Sequence, residues 1–231
     1  TDTVTSQASS SLNVHFSLQD GASSASRDGT TDVSLADSSV SMTIDSGVEY
    51  EKGSFTADLA GSFEAAISGT AKSATVNLAS ATSIEVKSVE NASTVTFVAP
   101  SATSLTVTAN ESLDLSGSTL SALTDVDIKG SGQVKLGNLG STTFDTSNIA
   151  VTATALSDAV VTKALEIGTI QTDGTNITLD ASGIFGVTKL AATVNAGAGA
   201  DPAGDVTLKF GDGGFSSALT VSGKDVRFDV S

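Results

Sequence analysis

Residues 84–136 read IEVKSVENASTVTFVAPSATSLTVTANESLDLSGSTLSALTDVDIKGSGQVKL, and the spacing within this stretch decides the fold. Apolar residues recur at every second position in short runs: Ile84/Val86, Val95/Phe97, Leu105/Val107, Leu113/Leu115, Val126/Ile128 and Val134/Leu136. A period of two marks strands that bury one face. Alternate runs fall into a longer frame, since Ile84, Leu105 and Val126 are 21 residues apart, as are Leu113 and Val134. Two short strands per period of about 20 residues, with Ser, Gly and Asn between them, predict a parallel β-solenoid. A single coil cannot bury its inward face. Stacked at about 4.8 Å, coils give each strand a parallel neighbour and fuse the inward aliphatic residues into one core. Val107, Ile128 and Leu136 are then inside, while Asp125, Asp127, Lys129, Gln133 and Lys135 face solvent. The alternative is an antiparallel β-sandwich, which also has short strands at this spacing but does not require the 21-residue alignment.

Working outward, Val76/Leu78 precedes the regular stretch, and further runs follow at Leu165/Ile167, Ile177/Leu179, Val187/Leu190, Val206/Leu208/Phe210, Leu219/Val221 and Val226/Phe228/Val230, with a drifting period. Residues 71–231 therefore read as solenoid. Residues 1–70 alternate well at Leu12 to Leu18, Val33 to Leu35, Val40 to Ile44 and Val48 to Phe55 but show no repeat, which suggests a separate N-terminal β segment or cap. Ala153 to Leu165 is the one helical candidate, and no helix longer than three turns is expected. Starting without Met and ending on a strand, the chain reads as a piece of something longer.

Composition narrows the role. The 231 residues include 36 Ser, 31 Thr and 22 Gly, with 2 Pro and no Cys or Trp. An apolar fraction of 39% argues for a folded core rather than disorder. Asp and Glu outnumber Lys and Arg by 26 to 11, and the net charge of −15 disfavours nucleic acid as a partner. Without cysteine there is no disulfide framework and no thiolate chemistry, which suits a protein secreted unfolded. No stretch has the apolar length of a membrane span, so membrane insertion is not expected. The three Asn-X-Ser/Thr triplets, at Asn91, Asn110 and Asn176, match chance.

The most suggestive motif is Ala196-Gly197-Ala198-Gly199-Ala200-Asp201, followed by Gly204-Asp205 and Gly211-Asp212-Gly213-Gly214. Glycine lets turn carbonyls converge and aspartate supplies charge, which together suit Ca²⁺. The run resembles the nonapeptide of repeats-in-toxin proteins, although Ala196 replaces the first glycine, Pro202 follows the aspartate, and tandem copies are missing. With the Ser/Thr-rich β repeats and acidic balance, the chain resembles type I-secreted bacterial surface-layer proteins and large adhesins of that class. The resemblance implies Ca²⁺-dependent folding outside the cell and assembly into a lattice at the cell surface. The candidate ligands are Asp201, Asp205 and Asp212; Asp125 and Asp127, two apart on a strand, form a second pair on one face. A flexible Gly/Ala loop and a solvated acidic face are the plain alternatives at these two places.

Catalysis is not expected. The only histidine, His15, lies in an alternating strand with no partner signature, and the carbohydrate-active enzymes that use solenoids need paired carboxylates and aromatic platforms, for which the chain offers Tyr50 alone. The expected role is a structural extracellular protein whose main partner is itself, in a surface layer or filament, with cell-surface polysaccharide as a further partner. The alternatives are a receptor-binding adhesin or phage fibre and, less favoured, a polysaccharide-active enzyme.

Overall fold

The computed structural model describes residues 2–5, 12–16, 25–34, 39–58, 61–140, 148–154, 165–184, 188–190, 193–197, 203–212 and 219–230. Among them every regular element is a β-strand and every strand pair is parallel. The protein is a parallel β-solenoid, and the antiparallel sandwich is excluded by the direction of the pairs. Most of the helical candidate, residues 155–164, lies outside the described residues; its two ends belong to the strands Ile149–Thr154 and Leu165–Ile167.

Two ten-stranded sheets form the walls. The first runs from Asp2–Thr5 through Ala25–Ser34, Val48–Asp58, Ala74–Asn77, Ser93–Val98, Leu113–Leu115, Val134–Leu136 and Leu165–Ile167 to Thr188–Leu190, with Thr70–Ala71 paired beside Val48–Asp58. The second runs from Leu12–Phe16 through Val40–Ile44, Ser62–Ile67, Ser83–Ser88, Ser104–Ala109, Asp125–Lys129, Ile149–Thr154, Ile177–Gly183 and Val206–Phe210 to Val226–Val230. Strands on both sides of position 70 join the same two sheets, so neither sheet breaks between the N-terminal segment and the regular coils.

Register explains the core. In the second sheet one inward column passes through Val40, Phe63, Ile84, Leu105, Val126, Val151, Leu179 and Leu208, each buried, and arrives at Phe228. Val107, Ile128 and Leu136 are buried as their alternation requires. At the N-terminal side of the regular region, Phe55, Phe63 and Phe97 meet across the two sheets with ring centroids 5.7 and 6.0 Å apart, tilted and edge-on, the geometries aromatic quadrupoles favour.

The repeat is 21 residues from Phe63 to Ile84, Leu105 and Val126. It lengthens to 25, 28 and 29 residues at the next three steps, to Val151, Leu179 and Leu208. The added residues build a third wall, the four-stranded sheet Leu139–Gly140, Ile170–Thr172, Thr193–Ala196 and Thr220–Ser222. A corner shows why small residues hold the regular turns. Gly130 has φ +115°, and a Cβ there would lie 2.0 Å from the Ala109 carbonyl oxygen one coil earlier.

The corners are also tied by side chains at the coil spacing. The Thr82, Thr103 and Thr124 hydroxyls each donate to the carbonyl one coil back, of Gly61, Thr82 and Thr103 respectively, at 3.3, 3.3 and 3.1 Å. In the wider coils asparagine takes this place. The Asn148 Oδ1 accepts from the Asn176 N–H at 3.1 Å, and the Asn176 Oδ1 accepts from the Asp205 N–H at 2.8 Å.

Candidate functional site

Because side chains alternate along each strand, everything between two inward columns of the second sheet points outward. The central outward column holds Ser41, Glu64, Glu85, Thr106, Asp127, Thr152, Asp180, Lys209 and Asp229 in register. Carboxylates stacked at strand spacing repel one another, and lysines from adjacent positions relieve this. Lys87 reaches Glu64 at 2.8 Å and Glu85 at 2.9 Å, and these two hold its ammonium above its ordinary value. Lys209 meets Asp180 at 2.9 Å, an attraction that raises the lysine. Asp180 is held below its ordinary value by hydrogen bonds from Ser182 and then Lys209. On the first sheet, burial pushes Asp114 up, but hydrogen bonds from Ser116 and from Lys135, 3.2 Å away, outweigh it and leave the carboxyl low. All of these groups are part-exposed, so solvent screens each pair and it contributes little alone.

The expected metal ligands distribute as follows. Asp125 and Asp127 do share the outward face of the strand Asp125–Lys129. Asp127 is already engaged by Lys129 at 2.6 Å, and Asp125 lies 2.7 Å from the Thr124 hydroxyl, competing with the Thr103 carbonyl for its single proton. Two carboxylates on an open face, one of them neutralised, suit a loosely held cation rather than an enclosed one. Asp201 lies outside the described residues. Asp205 and Asp212 flank the strand Val206–Phe210 at opposite ends, separated by roughly 16 Å of strand at about 3.3 Å per residue. One ion cannot bridge that distance, so these two aspartates do not form a shared site. Asp205 instead serves the corner ladder: its N–H donates to Asn176, and its carbonyl accepts from Ile177 at 2.9 Å. Among the described residues no three carboxylate or imidazole groups gather closely enough to hold a metal.

Two other residues singled out in the sequence find their places. His15 lies in the strand Leu12–Phe16, in register with Thr43. Tyr50 is 3% exposed and belongs to the core, so it is no platform for a sugar ring. A shallow groove does cross the outer face of the second sheet, lined by Ser41, Ser62, Ser83 and Ser104 with Glu64 and Glu85.

The feature that alternation alone did not disclose lies at the far end of the second sheet. Val226, Phe228 and Val230 continue the inward columns of Val206, Leu208 and Phe210, yet they are 43, 48 and 61% exposed. The residues beneath them are sealed. Alternation assigns all three to the core, and only the stacking order reveals that, among the described residues, this strand has a neighbour on one side alone. No protein-family profile, curated protein or solved structure matches the chain.

Proposed function

We propose that this chain is a structural protein of the cell exterior that assembles with copies of itself into a surface layer or filament, with Ca²⁺ as a stabilising ion. The observation that carries the reading is the stack of parallel coils, tied from coil to coil by two ten-stranded ladders of backbone bonds and by the Thr82, Thr103 and Thr124 hydroxyls.

The rest of the molecule suits a building unit. Ladders of backbone bonds run along the axis, and the walls are hydroxyls and charge pairs. The calcium part rests on the acid excess, 26 against 11, which leaves most carboxylates without a lysine or arginine of their own. Asp125 and Asp127, on one outward face, are one location for such an ion, and the glycine-rich sequence around Asp201 is the other. The serine-lined groove offers hydroxyl and carboxylate contacts to a cell-surface polysaccharide.

Negative-stain microscopy of the purified chain at high concentration, with and without millimolar Ca²⁺, tests the proposal. Filaments or sheets are expected, dissolving on chelation. Discrete monomers in Ca²⁺ at high concentration would refute self-assembly. If NaCl of matched ionic strength reproduces every effect of Ca²⁺, the calcium part falls.

A further inference from the structure

We infer that the groove on the outer face of the second sheet holds a linear, uncharged polysaccharide laid along the solenoid axis. The inference rests on the polysaccharide part of the proposed function and names the class of glycan.

Shape supplies the first argument. The groove crosses four strands, with Ser62, Ser83 and Ser104 in register one coil apart and Glu64 and Glu85 in the next outward column. Its volume of about 360 Å³ lies within the range of ligand sites. A second hollow of about 340 Å³ shares Ser104 and Thr106 with the first and carries the groove past Asp125 to Thr152. Six strands in all, at about 4.8 Å each, make a trough roughly 24 Å long. Because it runs across the strands, it offers similar groups at successive coils, which suits a chain of repeating units rather than a compact molecule.

Hydrogen bonding supplies the second. The neighbouring corner hydroxyls of Thr82 and Thr103 donate to carbonyls one coil back, whereas among the described residues the Ser62, Ser83 and Ser104 hydroxyls bond to no other group of the chain. Lys87 reaches the Oε1 of both Glu64 and Glu85 and leaves the Oε2 of each without a partner among the described residues. Hydroxyls that donate and accept, beside carboxylates that only accept, match a polyol, whose own hydroxyls do both. Two carboxylates repel an anionic chain. Lys87 already offsets much of their charge, so a cationic chain gains little there. The apolar residues of these strands are sealed inside, so sugar rings are held by their hydroxyl edges and not by stacking.

Calorimetric titration of the full chain tests this with size series of neutral linear glucans, mannans and galactans, beside chitosan oligomers and oligogalacturonate as cationic and anionic counterparts. At least one neutral series is expected to bind more tightly with each added sugar until the trough is filled, while its monosaccharide gives no measurable heat. The triple variant S62V/S83V/S104V removes the hydroxyls from outward positions with a strand-forming residue, and a retained far-ultraviolet spectrum confirms its fold. It is expected to bind at least about tenfold more weakly, the effect of three lost hydrogen bonds of ordinary net strength. Ser83→Lys, which lays a long side chain across the trough, is expected to weaken binding as well. Variants that bind as tightly as the unaltered chain, or an affinity independent of glycan length, would overturn the groove assignment. Binding confined to chitosan or oligogalacturonate would overturn the uncharged class while leaving the polysaccharide reading standing. No binding by any of these glycans would overturn both.

Discussion

Two adjacent residues, Asp127 and Ile128, test the face assignment on which everything else depends. Ile128 is fully buried, stacked in register between Val107 and Ala153, while Asp127 is outward and paired with Lys129. Ile128→Ala removes three carbons from a column whose neighbours are fixed by ladder bonds on both sides. Collapse into the space is therefore limited, and Ala153 above is itself small. The cost should fall in the upper half of the usual range for this change, about 3–5 kcal/mol. For a chain of this size each kcal/mol lowers Tm by about 2–4 °C, so a drop of roughly 6–20 °C is expected. Ile128→Asp should cost more, because an unpaired carboxyl would enter an aliphatic column. Asp127→Ser removes a solvated pair and should change stability by no more than about 0.5–1 kcal/mol. Urea unfolding followed by circular dichroism measures all three. If Asp127→Ser and Ile128→Ala agree within about 0.5 kcal/mol, the inward and outward faces have been assigned wrongly.

Gly130→Ala should cost more than about 2 kcal/mol, since the new Cβ would collide with the Ala109 carbonyl in a left-handed turn, and an unchanged melting temperature would refute that packing. Asn176→Ala removes the acceptor that holds the Asp205 N–H and should lower stability by about 1 kcal/mol; hydrogen exchange at Asp205 should accelerate, and an unaltered rate would count against the ladder. The pH profile follows from the ion pairs. Asp114 and Asp180 sit below their ordinary 3.8, so their contribution is full above that value and is lost as pH falls through the depressed value. Lys87 and Lys209 sit above 10.5, so theirs is full below 10.5 and is lost as pH rises through the raised value. Melting temperature should therefore form a plateau between these limits, and a maximum confined to strongly acidic conditions would contradict it.

Much of this architecture is legible without coordinates, because in a solenoid sequence spacing translates directly into stacking. The interval separating Ile84, Leu105 and Val126 is the coil itself. The threonines at 82, 103 and 124 carry the same interval and could have been read as a corner ladder. Residues beyond Leu136 resist such reading because the third sheet inserts a variable number of residues into each coil, which destroys the fixed frame while leaving alternation intact. The irregular spacing before Phe63, with steps of 28 and 23 residues, hides the continuity of Leu12–Phe16 and Val40–Ile44 with the regular coils in the same way. Asp205 and Asp212 looked like partners because seven residues is a short distance in sequence. The intervening strand is extended and holds them apart. The exposed Phe228 was invisible for the opposite reason: its pattern is that of a core residue, and exposure depends on what lies beyond it.

The direction of the backbone bonds has a mechanical consequence. In the regular region every inter-coil bond points along the axis, so a pull on the two ends of the chain loads these bonds one coil at a time rather than shearing many together. Each 21-residue coil that peels away should release roughly 65–70 Å of contour, its extended length less one strand spacing. A force–extension trace would then show a staircase of near-equal steps through Phe63 to Val126 and longer ones from Val126 to Leu208, where the third wall widens the coil. Such a rod yields gradually under tension along its length, dissipating load in small increments instead of failing at once.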